Sequence, residues 1–334
     1  MKKFHPLLIL SLLLPALFLT SCDRGDELES VDLVSTPAFE VMTDYMVQNN
    51  LDINNIITNA DGEMFVVGAP AEADLTTFLD TYYIMDIRSS ADFLTGHISG
   101  AHNVAFKDIL TTAATTTKPI LVVCYTGQTA CYATALLRLY GYSRTRALKW
   151  GMSGWNSANA GPWNSSISDI AKNSTNWSYA GAPVNIKFDD PEISTNLKDG
   201  QTILKERVEA VVAEGFKGVN AGDVLNNPGG YFINNYFSEA DYTGFGHISS
   251  AYRILPLTLA DDSYKSLDPE ANTLVTYCYT GQTSAVITAT LRVLGYNAAS
   301  LKFGMNGLFN SNPAFKSNQW QGDSHPKDLP VVSN

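Results

Sequence analysis

Hydrophobic and polar positions follow one order along residues 37–334, and that order occurs twice. Short apolar runs such as TYYIMDI and PILVVC predict strands buried on both faces, because polar residues do not alternate within them. A helical pattern follows PILVVC, with an apolar stripe made of Ala130, Ala133, Leu137 and Tyr140. Gly141 stands where a helix C-cap is expected, and RALKW predicts a further strand. Alternating strands and helices predict an α/β fold with a mainly parallel sheet.

Three pairs of matching segments show the repeat directly. CYTGQTA at 124–130 matches CYTGQTS at 278–284, GHISGAHN at 96–103 matches GHISSAYR at 246–253, and LKWGMSGWN at 148–156 matches LKFGMNGLFN at 301–310. Partners lie about 150 residues apart, which is far longer than a solenoid repeat. The pattern therefore predicts two tandem domains, 37–185 and 186–334. A loop-rich tail and linker are expected at 157–185, and an amphipathic helix in DGQTILKERVEAVVAEGF.

The first residues have the pattern of an export signal. Lys2 and Lys3 precede an apolar run of about 13 residues, which is shorter than the roughly 20 residues of a membrane-spanning helix. The following LTSC resembles the lipobox of bacterial lipoproteins, which implies a signal peptide at 1–21 and lipidation of Cys22. Residues 22–36 would then be a tether, and the protein would be exported and anchored to the inner or outer membrane on its periplasmic side. An ordinary cleaved signal with an incidental cysteine is the alternative.

The net charge limits the expected partners, and the cysteine content indicates the expected chemistry. The formal net charge is -11 and no basic run follows the signal, so nucleic acid is not an expected partner. With Cys22 set aside, three of the four cysteines remain, and an odd number in an exported protein favours at least one working thiol. The sequence shows neither a set of side chains at metal-ligand spacing nor a glycine-rich nucleotide loop, so no metal and no cofactor are predicted.

The repeated loop predicts a stabilised sulfur anion. A buried strand that ends in cysteine and leads into a helix places the sulfur over the unpaired N–H groups of the helix N-terminus. Gly127 and Gly281 permit a tight curl, and Thr129 and Thr283 offer hydroxyl groups as helix caps. We expect this arrangement to lower the cysteine pKa and to suit a persulfide, Cys–S–S⁻.

Other cysteine chemistries lack their partners. A phosphatase loop needs an arginine where Ala130 and Ser284 stand. A protease needs a base beside the sulfur; His97 and His247 recur, but each lies in a GHIS turn where we expect it to fix the backbone. Sulfur transfer needs neither group. It is therefore the chemistry that the loop favours.

At this point the residues resemble the rhodanese family of sulfurtransferases, through YIMDIRSSADFLTGHISGAHNVAF followed by ILVVCYTGQT. The resemblance covers both units and implies two tandem rhodanese-like domains, each with a mainly parallel five-stranded sheet flanked by helices. It also implies that Cys124 takes sulfur from a donor and passes it to an acceptor, and that Asp86 and Arg88 support the loop. The implied cradle of Cys124 consists of Tyr125, Thr126, Gly127, Gln128 and Thr129.

The second unit departs from the family pattern. Asn235 and Phe237 stand where the first unit has Asp86 and Arg88, yet Cys278 keeps its loop. We therefore expect Cys278 to be a second active cysteine, in a cradle made of Tyr279, Thr280, Gly281, Gln282 and Thr283.

The leading interpretation is a sulfurtransferase that moves sulfane sulfur from thiosulfate, polysulfide or a persulfide to a thiol or cyanide-like acceptor. Because the loop holds no cation, a donor less charged than thiosulfate is favoured. One alternative is a non-catalytic sulfur carrier or partner-binding lipoprotein. Another is a thiol oxidoreductase using Cys124 and Cys131, which lies off the apolar stripe and is not expected to be fully buried. Trp150 and Trp155 are expected to pack in the core.

Overall fold

A computed structural model of the protein describes residues 36–333. We call residues 36–185 the first half and residues 186–333 the second half. The strands are β1 Val66–Val67, β2 Tyr83–Asp86, β3 His102–Asn103, β4 Ile120–Val123, β5 Arg146–Leu148, β6 Trp177–Ser178, β7 Gly218–Val219, β8 Phe232–Asn235, β9 His247–Ile248, β10 Leu274–Tyr277 and β11 Ala298–Leu301.

The helices of the first half are α1 Ala38–Gln48, α2 Ile53–Ile57, α3 Leu75–Thr81, α4 Ser90–Thr95, α5 Ile109–Ala113, α6 Gln128–Tyr140, α7 Gly151–Trp155 and α8 Gly161–Asn164. Those of the second half are α9 Gly200–Glu214, α10 Ala221–Asn226, α11 Glu239–Gly244, α12 Gln282–Val293 and α13 Gly304–Phe309. Short 3₁₀ turns lie at Glu72–Asp74, Phe106–Asp108, Ser157–Asn159, Pro228–Gly230 and Ser263–Ser266. Within residues 36–333, none of the helices is long and apolar enough to span a membrane.

Each half contains one parallel sheet, which confirms the predicted α/β class. The first sheet has the strand order β1-β5-β4-β2-β3 and the second the order β7-β11-β10-β8, with every pairing parallel. The expected five strands are present in the first half, whereas the second sheet has four. At the place of the fifth strand, Tyr252 makes a single parallel bridge to Asn234. The strands that lead into the two cysteine loops, β4 and β10, lie inside their sheets and are fully buried.

The helices that follow the cysteines pack against each other between the two sheets. Helices α6 and α12 are in contact along their length, and both also contact α9. The predicted apolar stripe is buried at Ala130, Ala133 and Leu137, and burial extends around the helix: Gln128 and every residue from Ala130 to Leu139 are buried. One face of α6 covers its own sheet, and the other is covered by the second half. The amphipathic helix predicted from residue 199 is confirmed as α9, which buries Ile203, Leu204, Val208, Val211 and Val212.

The two halves also exchange their terminal segments. After α8, the chain crosses to the second half, where Ala171 N donates to Leu308 O at 2.9 Å and β6 pairs antiparallel with β9. The C-terminal segment returns to the first half, where Leu329 N donates to Trp155 O at 3.0 Å and Val332 bridges His97. The domain boundary at residue 185 stays a prediction, because each side of it contributes a segment to the other.

Candidate active site: two facing cysteine loops

The loop at residues 124–130, here called the first cradle, curls its backbone around the sulfur of Cys124. Gly127 is the N-cap of α6 and has φ +83°, in the left-handed region that favours glycine. The Ala130 N–H donates to Cys124 Sγ at 3.3 Å. Helix α7 holds the loop from the other side, because Met152 N donates to Cys124 O at 2.8 Å. The sulfur thus sits over a helix N-terminus, as expected from the sequence.

The second cradle, residues 278–284, repeats this geometry. Gly281 begins α12 with φ +77°, and the Ser284 N–H donates to Cys278 Sγ at 3.3 Å. Met305 N at the start of α13 donates to Cys278 O at 3.0 Å. One contact is new: Cys278 Sγ lies 3.6 Å from Ser284 Oγ, which in turn lies 2.9 Å from Ser300 Oγ.

Two details of the predicted cradle are wrong. Neither Thr129 nor Thr283 caps its helix, because Gly127 and Gly281 are the N-cap residues; at α12 it is Thr280 Oγ1 that accepts from Gln282 N, at 3.2 Å. The expected lowering of the Cys124 pKa is also wrong. Cys124 is 6% exposed, and this burial raises the pKa of its thiol. Amide hydrogen bonds within the loop lower the pKa by a smaller amount, and the negative charge of Asp86 raises it further.

Beneath the first cradle lies a buried ion pair. Arg88 Nη2 lies 2.7 Å from Asp86 Oδ2, and both side chains are buried. Asp86 Oδ1 also accepts from Arg88 N at 3.0 Å. The ring of Tyr125 covers the guanidinium, with Arg88 Cζ 5.0 Å from the ring centroid. Burial acts to lower the pKa of Arg88, but the bond and charge of Asp86 outweigh it and the pKa of Arg88 is raised. The pair underlies the loop, while its supporting role stays a prediction.

The second half fills the same places without charge. Asn235 Oδ1 accepts from Phe237 N at 2.8 Å, as Asp86 does from Arg88 N. The Phe237 ring stacks on the ring of Tyr279, with centroids 4.7 Å apart. Asparagine therefore keeps the backbone contact of the aspartate, and an aromatic ring replaces the guanidinium under the loop tyrosine.

Comparison with known proteins adds a family to this geometry. The family model of the rhodanese-like domain matches residues 71–158 and 237–311, which include both cradles. The chain is 35% identical over 79 residues to the thiosulfate sulfurtransferase GlpE of Shewanella oneidensis, covering 23% of this chain and 78% of the relative. The chain belongs to the rhodanese-like family.

Solved structures show more distant likeness. A rhodanese-related protein from Thermoplasma volcanium is 21% identical over 36% of this chain and 100% of its own, with a TM-score of 0.25. A thiosulfate sulfurtransferase from Pseudomonas aeruginosa is 16% identical over 78% of this chain, with a TM-score of 0.29; this chain covers 48% of it.

The two histidines of the rhodanese repeats fix turns, as expected. His97 Nδ1 lies 2.8 Å from Phe93 O, and its ring stacks on the Phe93 ring. His247 Nδ1 lies 3.0 Å from Tyr242 O, and its ring stacks on the Tyr242 ring. Burial lowers the pKa of His247. Both rings are thus engaged by the helix that precedes the GHIS turn.

Cys131 and the tryptophans complete the surroundings of the rhodanese loops. Cys131 is fully buried, contrary to the expectation of partial exposure, because α12 covers its side of α6. Burial raises the pKa of Cys131 well above the usual value, and the charges of Cys124 and Cys278 act in the same direction. Trp155 packs in the core of the first half, and Trp150 packs edge-on against Trp163, with centroids 4.7 Å apart. Cys22 lies outside the described residues.

Sequence reasoning missed the contact between the two rhodanese cradles. Gln128 of the first cradle and Gln282 of the second are each 3% exposed, and each reaches into the opposite half. The repeated CYTGQT motif contains both glutamines, but a repeat within one chain does not reveal which faces of its two copies meet.

Proposed function

We propose that this protein is a sulfurtransferase that moves sulfane sulfur from a small donor to a thiol or cyanide-like acceptor, through a persulfide on Cys124 and on Cys278. The observation that carries the proposal is the amide hydrogen bond at 3.3 Å that each sulfur receives from the first turn of the following helix. Membership of the rhodanese-like family and the name of the Shewanella relative, a thiosulfate sulfurtransferase, support this reaction class.

The reaction proceeds in two balanced steps. The sulfur of Cys124 attacks the terminal sulfur of a polysulfide, the S–S bond to the rest of the donor breaks, and the shortened chain leaves with the electron pair and the thiol proton. The product is Cys–S–S⁻, whose outer sulfur carries the charge. An acceptor such as cyanide then attacks that outer sulfur and leaves as thiocyanate, and the released thiolate takes a proton from water to restore the thiol.

Three features of the site bear on the choice of donor. The pKa of Cys124 is raised, so the thiol still carries its proton at neutral pH. The rings of His97 and His247 are engaged at backbone carbonyls rather than offered as bases. Arg88, the cation under Tyr125 of the first cradle, is paired with Asp86. These features support polysulfide or a low-molecular-weight persulfide over thiosulfate, and turnover with polysulfide and with thiosulfate, compared side by side, tests the preference.

The decisive experiment measures thiocyanate formed from polysulfide and cyanide by the full chain, Cys124→Ser, Cys278→Ser and the double variant. We expect each single variant to retain part of the activity and the double variant to retain none. Mass spectrometry after donor treatment should find one extra sulfur atom on the peptide of each remaining cysteine. Transfer that persists in the double variant would exclude the mechanism.

The burial of both sulfur atoms favours a second candidate, a sulfur carrier that holds persulfide for a partner. Cys124 is 6% exposed and Cys278 1% exposed, so neither sulfur is open to a bulky acceptor in this conformation. Persulfide that forms on both cysteines but is not passed to cyanide or to small thiols would support the carrier.

We also propose that residues 1–21 are a signal peptide and that Cys22 carries a lipid anchor on the periplasmic side. The support is the LTSC segment after a short apolar run. Labelling cells with a fatty-acid analogue should tag the wild-type protein and leave Cys22→Ser unlabelled and released from membranes. Equal labelling of the two proteins would contradict the anchor.

A further inference from the structure

The side chain of Gln128 extends from the first cradle to the second and binds to both halves. Its Oε1 accepts from Phe303 N at 2.8 Å, and its Nε2 donates to Thr126 Oγ1 at 3.1 Å. A Cβ atom placed on Gly281 would lie 2.3 Å from Gln128 Oε1. Gly281 therefore serves two purposes: it takes a positive φ, and it leaves the space that the glutamine of the other half occupies.

The amide that Gln128 binds belongs to the support of Cys278. Phe303 is the N-cap of α13 and has φ +64°, a conformation that a bulky residue holds only when its surroundings fix it. The next residue is equally constrained, because a Cβ on Gly304 would lie 2.1 Å from Cys278 O. From there the first amides of α13 hold the carbonyls of the second cradle, Met305 N at Cys278 O and Asn306 N at Tyr279 O.

The reverse contact is weaker. Gln282 points toward the first cradle and its Cδ comes within 3.2 Å of a Cβ placed on Gly127, but its Nε2 meets Thr126 O at 3.5 Å, the outer limit of a hydrogen bond. The first cradle thus fixes the second more firmly than the second fixes the first.

We propose that Gln128 is a positioning residue for Cys278, so that the cradle of one half completes the site of the other. The inference rests on the proposed sulfur transfer for its functional consequence and on the contacts alone for its structural one. Loss of the Gln128–Phe303 bond frees the N-terminus of α13, and the carbonyls of Cys278 and Tyr279 lose their fixed position. Transfer through Cys278 then slows because its anion is less well held.

Gln128→Met removes the hydrogen bonds and keeps the length of the side chain, and Gln282→Met is the matched control. Each is combined with Cys124→Ser, which leaves transfer to Cys278, and with Cys278→Ser, which leaves it to Cys124. We expect Gln128→Met to lower kcat through Cys278 by about three- to tenfold, as for the loss of one hydrogen bond, with KM nearly unchanged. Gln282→Met should lower kcat through Cys124 by less than about twofold.

Hydrogen exchange on the same full-length proteins separates the inference from the proposed function. Gln128→Met should speed exchange in peptides covering 278–284 and 301–309, whereas Gln282→Met should leave peptides covering 148–155 unchanged. If Cys124→Ser transfers no sulfur at all, the proposed role of Cys278 fails, and faster exchange in 278–284 still upholds the positioning contact. Unchanged exchange in 278–284 of Gln128→Met would overturn the inference. So would a loss of kcat through Cys124 in Gln282→Met that equals or exceeds the loss through Cys278 in Gln128→Met.

Discussion

In the first half a buried carboxylate and guanidinium stand beneath the cysteine loop, whereas in the second half an amide and a phenyl ring occupy the same places. Beside the sulfur the difference is reversed. Ala130 and Ala147 of the first half correspond to Ser284 and Ser300 of the second, whose hydroxyl groups form a pair that touches Cys278. The amide curl around the sulfur is common to both. The loop backbone is thus the constant part of the site, and the groups around it carry the differences.

The comparison also explains how one loop tolerates two kinds of support. Asp86 and Asn235 both place an oxygen on the backbone N–H two residues later, and this contact needs an acceptor but no charge. The charge of Asp86 is paired with the guanidinium of Arg88. With Phe237 in the place of the arginine, a buried carboxylate would have no partner, and an asparagine of the same shape avoids that cost.

The largest effect is expected from breaking the ion pair of the first half. Asp86→Asn keeps the acceptor for Arg88 N but leaves the guanidinium buried without its counter-ion, which should lower the free energy of unfolding by about 3–5 kcal/mol. Adding Arg88→Phe copies the second half and should recover about 2 kcal/mol, since a ring can stack under Tyr125 as Phe237 does under Tyr279. Urea unfolding of the two variants measures both values. A single variant that costs under about 1 kcal/mol would show that the pair does not stabilise the fold.

The exchanged C-terminal segment predicts the next largest effect. Leu329 is 2% exposed and packs with Ile84, Ile98 and Leu121 of the first half. Leu329→Ala should therefore lower the free energy of unfolding by about 2–4 kcal/mol. Hydrogen exchange should rise in first-half peptides around residue 97, although the change lies near the end of the chain. Val331→Ala, at a residue that is 37% exposed, is the control and should cost less than about 1 kcal/mol. A loss confined to second-half peptides would contradict the exchange.

Sequence patterns predicted what depends on neighbours along the chain. The buried strands before Cys124 and Cys278, the left-handed turns at Gly127 and Gly281, and the parallel sheets all follow from local apolar runs and loop chemistry. The fifth strand expected in the second sheet is not formed, because Tyr252 makes only one bridge there.

Features that depend on the meeting of the two halves could not be predicted in this way. The apolar stripe of α6 does not show that α12 covers the other side of the helix. For this reason the burial of Cys131 was not predicted. The burial of Cys124 likewise overturned its expected pKa: a loop sequence shows the amides that favour an anion, whereas the exclusion of solvent by the folded protein is not visible in the local pattern.

The raised pKa of Cys124 predicts that the reactivity of its thiol depends on pH above neutrality. Below its pKa, the thiolate fraction of Cys124 falls about tenfold for each unit of pH, and a raised pKa extends that slope beyond the roughly 8.5 of a free thiol. Alkylation of Cys124 by iodoacetamide should therefore still increase between pH 8 and 9. Peptide mapping over a pH series measures the rate. A plateau reached below about pH 8 would mean that the amides outweigh burial after all.

The smallest effect is expected from the serine pair, where the second site carries the extra group. The Ser284 hydroxyl can donate to the sulfur anion of Cys278, and Ser300 keeps that hydroxyl engaged. Ser284→Ala alone would strand the buried Ser300 hydroxyl, so the informative variant changes both serines to alanine and reproduces the first half. We expect persulfide loading of Cys278 to slow by about two- to fivefold, the size of one weak hydrogen bond. The reverse variant, Ala130→Ser with Ala147→Ser, should speed loading of Cys124 by a similar factor, measured by mass spectrometry after brief donor treatment. If neither variant alters loading while both unfold like the wild type, the two sulfurs do not differ through these hydroxyls, and the contrast between the sites reduces to the ion pair beneath the first loop.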